Sequence, residues 1–209
     1  IYLDLLENRL VDPTGGLDDL ANKLIRATSP DPRAIMGDDA LRILRMARFA
    51  AQLGFTIDPA TMDAARAHAA GLASISPERI YDELAKLLLA DARYGAGYES
   101  LLYGLEALQE CGAYEVILPE LAACAGVLQK AQYHAYDVLG HTLNATAAAP
   151  PELVLRFAML FHDMGKPAAV LSHGKMYGHE LISENMADAI MRRLRFPNAL
   201  RKEVLTLVR

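Results

Sequence analysis

Leu155–Lys166, LRFAMLFHDMGK, sets an adjacent histidine and aspartate, His162 and Asp163, at the end of an otherwise apolar run. The run predicts a buried helix, and an imidazole beside a carboxylate is costly to bury unless both are hydrogen-bonded or share a cation. A hydrolytic metal ion wants three or more protein ligands and a position left open. Two further histidines flank the pair. His141, in YHAYDVLGHTL, lies about five or six helical turns upstream, so an antiparallel helix pair returns it to His162. His179, in YGHELIS, opens another helix-like run. Each histidine alone also reads as a hydrogen-bonded core or surface residue; three of them around one aspartate read as metal ligands.

Upstream, two segments carry a different chemistry. VDPTGGLDDL (11–20) puts Gly15 and Gly16 in a sharp turn and follows them with Asp18 and Asp19, which suit a helix N-terminus. GDDALRILRMARFAAQLGF (37–55) spaces Arg42, Arg45 and Arg48 at threes, with Asp39 three residues before Arg42, so these side chains fall along one side of a helix. Such a row serves equally as a solvated, salt-linked face or as an acceptor and donor set for the edge of a base.

Composition bounds the class. The 209 residues are 53% hydrophobic, ample for a core, with strand-like alternation only at the start, and the class expected is all-α. Helices are expected near 17–28, 38–53, 59–71 and 77–91, after a strand remnant over 1–16. Pro59 and Pro77 sit in first-turn positions. Ala149, Pro150 and Pro151 break the chain before the helix that carries His162. No run reaches the roughly twenty apolar residues of a membrane span, so no membrane partner is expected. Cys111 and Cys124 lack disulfide-framework or metal spacing, which suits a reducing cytoplasm. A net charge of −5 confines any RNA contact to local patches, of which Arg192, Arg193, Arg195, Arg201 and Lys202 form one candidate and a solvated helix face is the alternative.

Two resemblances follow from these residues. His141, His162 and Asp163, with Gly165 and Lys166 completing an HDxGK run, resemble the HD-domain metal-dependent phosphohydrolases. That resemblance implies metal-assisted phosphoester cleavage, with His141, His162 and Asp163 as metal ligands, to which the residue pattern adds His179, and with His162, Asp163 and Lys166 catalytic, Lys166 near the phosphate. Manganese, nickel, cobalt, zinc and iron all suit such ligands. The family's later aspartate has only Asp188 as a counterpart, and MADAIMRRL places it too early.

The order DPTGGLDDL, DDALRILRMARFAAQLGF, ISPERIYDELAKLL and ILPEL is similar to the bacterial tRNA nucleotidyltransferase and poly(A) polymerase family, which includes CCA-adding enzymes, over essentially the whole chain. The resemblance implies that Asp12, Gly15, Gly16, Asp19 and Leu20 link a catalytic head to the neck. It also implies that Asp39 and Arg42, with Arg45 in the same element, read the Watson–Crick edge of an incoming C or A. Asp38 stands where glutamate is usual, and Glu78 and Arg79 match an ERI element that braces the neck. The implied partners are a tRNA or other RNA 3′ end and CTP or ATP, with magnesium serving nucleotidyl transfer. The implied division is 1–27 as the end of a head and linker, 28–127 as neck and body, and 128–209 as an HD-type domain. The head's Gly-Gly-Ser loop, paired aspartates and Arg-Arg-Asp motif are not found upstream of Asp12, so the expectation is a portion of a longer enzyme that does not polymerise alone. A free-standing HD phosphohydrolase acting on 2′,3′-cyclic phosphates or phosphomonoesters is the alternative.

Overall fold

The computed structural model describes residues 1–128 and 136–209, and 66% of the chain is helical, in line with the all-α class. A two-stranded antiparallel hairpin, β1 (Tyr2–Asp4) and β2 (Arg9–Val11), leads into α1 (Gly16–Ala21), β3 (Leu24–Ile25), α2 (Pro32–Asp38), α3 (Leu41–Leu53) and β4 (Thr56–Ile57). Then come α4 (Pro59–His68), a 3₁₀ turn (Ala69–Ser74), α5 (Pro77–Leu88), α6 (Ala90–Tyr94), α7 (Tyr98–Glu110), α8 (Ala113–Ile117) and α9 (Pro119–Ala122). The C-terminal part holds α10 (Val138–Ala148), α11 (Leu153–Phe161), α12 (Lys166–His173), α13 (His179–Arg193) and α14 (Asn198–Val208).

Local signals explain most starts. Asp31 and Asp58 accept backbone N–H bonds ahead of Pro32 and Pro59, and Asp137 caps α10 through the Gly140 N–H. α3 is the central element, fully burying Ile43, Ala47, Ala50 and Ala51 against α5 and α7. The apolar core runs without interruption from Met36 to Val208. Tyr81 of α5 carries it across, its ring centroid 4.5 Å from Phe196 and 6.3 Å from Phe157. Arg156 of α11 is buried there: it pairs with Asp91 (Nη2–Oδ2 2.8 Å), bonds the Leu88 carbonyl, and reaches the Ala149 carbonyl at 3.0 Å.

Several expected boundaries shift. The helix expected over 17–28 stops at Ala21, because Lys23 turns into a left-handed conformation (φ 53°) and Leu24–Ile25 pairs in parallel with Thr56–Ile57. Strand structure is therefore not confined to the start. The helix expected over 38–53 is two helices, broken at Asp39 (φ −150°, ψ 100°), whose side chain accepts the Leu41 N–H instead of continuing the turn. The helix expected over 59–71 ends as α4 at His68 before the 3₁₀ turn, and the one over 77–91 divides at Leu89 into α5 and α6. The division expected between 127 and 128 lies beside 129–135, which are outside the described residues. No helix among the described residues is long and apolar enough to cross a membrane.

Candidate functional site

Two groups of side chains concentrate the chemistry. In the first, the turn before α1 is built by Asp12, which accepts the Leu17 N–H at 2.7 Å; that bond above all holds its carboxyl below the usual range. Gly15 supplies the left-handed corner (φ 73°), and Arg26 ties the turn together by donating to Asp19 (2.9 Å) and to the Thr14 carbonyl (3.0 Å).

Asp39 occupies the α2–α3 corner, where its Oδ1 accepts the Leu41 N–H (3.1 Å) and its Oδ2 accepts from Arg79 Nη2 (2.8 Å). Burial works to raise the Asp39 carboxyl. The Arg79 and Leu41 hydrogen bonds and the charges of Arg79 and Arg42 outweigh it and hold the group below its usual range. Arg42, half-exposed, donates to the Ile35 carbonyl at 2.6 Å and stands 3.9 Å from Asp38. Arg42 and Arg45 line a cleft of 310 Å³ with Ile25, Thr28, Met36 and Phe49; Asp39 lies outside this lining. Arg48 does not join them. It is buried, donating to Glu83 (2.7 Å) and Gln52 (2.8 Å) with its guanidinium 4.2 Å from the Phe49 ring centroid. The expected row of three arginines thus separates into two at a cleft and one in the core.

The second group sits where α10, α11, α12 and α13 converge. Asp163, 2% exposed, is surrounded: its Oδ2 lies 3.1 Å from His162 Nε2, 3.6 Å from His141 Nε2 and 2.6 Å from Lys166 Nζ, and its Oδ1 lies 3.2 Å from His179 Nε2. Donor atoms of His141, His162 and Asp163 all fall within 4.8 Å of one another. His162 Nδ1 is 2.7 Å from the Met159 carbonyl and His179 Nδ1 is 2.7 Å from the Met176 carbonyl. A carbonyl only accepts, so each Nδ1 carries a proton and each Nε2 is turned toward the aspartate. Lone pair and carboxylate oxygen repel at this range unless a proton or a metal ion stands between them. Burial works to raise the Asp163 carboxyl, but the bonds and charges of His162 and Lys166 hold it far below the carboxylate range.

Gly165 makes the convergence possible. A Cβ there would stand 2.3 Å from the His179 carbonyl oxygen and 2.7 Å from the Ser183 nitrogen, so α13 can close on the loop only over a glycine. Ser183 Oγ accepts the Gly165 N–H at 2.9 Å. Sequence reasoning missed Ser183 and both clamping carbonyls. Each carbonyl lies three residues before its histidine, a signal visible only once the local turn is known.

Asp188 is not in this centre. It pairs with Arg192 (2.8 Å) of its own helix and with Arg201 (3.3 Å) of α14. The four arginines of the C-terminal basic cluster are likewise paired with acids: Arg192 and Arg201 with Asp188, Arg193 by a fork onto Glu120 at 2.8 and 3.0 Å, and Arg195 with Glu78, the neighbour of Arg79.

Comparisons with known proteins fall on the same molecule. Residues 54–124 match the family model described as "Probable RNA and SrmB- binding site of polymerase A", a span from Gly54 through α9 that contains Arg79, the brace on Asp39, but none of the residues grouped around Asp163. Among solved structures, "tRNA-processing enzyme (apo form I)" is similar at 19% identity and a TM-score of 0.57, over 96% of this chain and 46% of that one. "Structure of tRNA-processing enzyme complex 3" is similar at 20% identity and a TM-score of 0.59, over 97% of this chain and 48% of that one. The likeness is one of fold, and the chain spans about half the length of these structures.

Proposed function

We propose that this chain, a member of the tRNA nucleotidyltransferase and poly(A) polymerase family, is the part of a tRNA 3′-end nucleotidyltransferase that binds the RNA and selects the incoming CTP or ATP. The observation that carries the reading is the α2–α3 corner: Asp39 fixed by Arg79 at 2.8 Å, and, one turn on, Arg42 pinned by the Ile35 carbonyl at the lip of a cleft. A carboxylate accepts at up to about four positions, so Asp39 keeps capacity for a base amino group while Arg79 and the Leu41 N–H hold it in place. Arg42 offers the opposing donors. An acceptor and a planar donor fork fixed on rigid backbone discriminate C and A from G and U by unpaired groups in the mismatched case. Residues 28–127 form the neck and body in this reading, with 54–124 contacting RNA and residues 1–27 as the end of the head and its linker, magnesium-dependent transfer being the work of that head. In the enzyme carrying its head, Arg42→Ala should lose preference for CTP and ATP over GTP and UTP by about 10-fold or more, while tRNA affinity holds. Unchanged discrimination would refute the assignment.

A second activity is supported by the clamped imidazoles. The donor set fits a divalent ion: His141, His162 and Asp163 would hold it, with His179 on the other carboxylate oxygen, and residues 128–209 form the HD-type domain. A bound ion would supply Lewis-acid polarisation of a phosphoryl oxygen in a 2′,3′-cyclic phosphate or phosphomonoester. His162, Asp163 and Lys166 would orient the ion and the phosphate. Elemental analysis checks this directly, since His162→Ala should abolish bound manganese, nickel or cobalt with helical content intact; full occupancy in that variant would remove His162 from the ligands.

A further inference from the structure

We infer that Lys166 is a resident counter-cation whose transfer from Asp163 to an incoming anion couples metal binding to phosphate binding at the HD-type centre. The inference rests on the reading of that centre as a metal site. Asp163 Oδ2 is the oxygen nearest both His141 and His162, so an ion shared with those rings has to use it. The same oxygen holds the Lys166 ammonium at 2.6 Å, closer than either imidazole. Lys166 is itself buried, 9% exposed, one turn along from Asp163 with its backbone N–H on the Asp163 carbonyl at 3.0 Å. Its main chain is fixed, and only the side chain can yield.

The charges set the order of events. Lys166 offsets the single negative charge that Asp163 brings, so a divalent ion arriving alone meets a site already balanced and a cation in its way. Displacing the ammonium takes a buried positive charge off its carboxylate and leaves it beside a dication, which is costly in a low-dielectric setting. A phosphate oxygen would remove that cost, because Lys166 would exchange one anionic partner for another and leave the Asp163 carboxylate to hold a metal ion with the histidines. By linkage the phosphate must tighten the metal as much as the metal tightens the phosphate. Gly165, whose N–H donates to Ser183 Oγ at 2.9 Å, ties the loop to α13 and keeps the exchange local.

The test is Mn²⁺ binding to the full chain, followed by the loss of the free-ion electron paramagnetic resonance signal, with and without inorganic phosphate. In the unaltered protein, phosphate should tighten Mn²⁺ by about 5-fold or more, the lower end of typical coupling between sites. Lys166→Met should bind Mn²⁺ alone about 5-fold or more tightly than the unaltered protein and respond less to phosphate. Lys166→Arg, which keeps the charge, should retain the phosphate response and covers the case in which the methionine variant fails to fold. A methionine variant with unchanged Mn²⁺ affinity and an unchanged phosphate response overturns the role of Lys166 and leaves the metal site standing. Absence of Mn²⁺ binding by all three proteins, with or without phosphate, overturns the metal site and the coupling with it.

Discussion

Arg42 and Arg45 reach their cleft from one helix, α3, with the brace on Asp39 coming from the first turn of α5. The atoms around Asp163 arrive from α10, the end of α11 and the starts of α12 and α13. The first site is thus set by spacing along one segment and sits at partly exposed side chains. The second exists only where four elements pack together and is sunk to 2% exposure at its aspartate. A local site tolerates loss of one side chain without loss of fold, because its neighbours stay helical for their own reasons. A convergent site fails when the packing that gathers it is disturbed, even by a change that removes no ligand.

The sharpest test of that division lies within α3, where two arginines of one motif have opposite surroundings. Arg48→Met leaves Glu83 buried and stripped of its 2.7 Å partner, and loss of one member of a buried pair costs about 3–5 kcal/mol. Arg42→Met removes a half-exposed side chain and should cost within about 1 kcal/mol. Denaturant unfolding of both variants measures the gap. Equal stabilities would mean that the Glu83 pair contributes no more to the fold than the contacts of the half-exposed Arg42.

The convergent centre is broken most cleanly from its backbone. Gly165→Ala adds one carbon that meets the His179 carbonyl oxygen at 2.3 Å, and overpacking against backbone costs about 1–3 kcal/mol. The relief comes from α13 moving outward, and His179 opens α13, so bound metal should fall together with the melting temperature although every ligand remains. An alanine variant with unchanged metal content and melting temperature would mean that the α12–α13 junction has slack.

Much of this arrangement was legible in the residues. The apolar run ending in His162–Asp163 gave α11 and its terminal pair, Pro59 and Pro77 marked helix starts, and His141 and His179 stood at spacings that neighbouring helices can close. What escaped was set by partners remote in sequence. Asp39 reads as a helical residue until its side chain is seen to take the Leu41 N–H, which breaks α2 from α3. Arg48 looks like Arg42 until Glu83, 35 positions away, claims it. The Arg156–Asp91 pair spans 65 positions, and β3 and β4 are two residues each, too short for any alternation to show. Arg193 and Arg195 read as part of a basic patch or a solvated helix face because their acids, Glu120 and Glu78, belong to α9 and α5.

The smallest expected effect concerns Asp39, whose carboxyl is held below the 3.8 of a free aspartate. A group whose value falls on folding binds protons less readily in the folded state, so its stabilising contribution is complete above the unfolded value and is lost as pH falls through the folded one. The window therefore opens below about pH 4. Titration of the Asp39 side-chain carboxyl by carbon-detected NMR should give a value under 3.8, and Arg79→Met should move it upward by removing both a hydrogen bond and a charge. Asp163 is depressed too and contributes acid sensitivity of the same sign, so the residue-resolved titration separates the two where an unfolding curve cannot. If Asp39 titrates identically with and without Arg79, the carboxylate is set by the Leu41 N–H and the Arg42 charge. The cleft would then be more local still than its one crossing brace makes it.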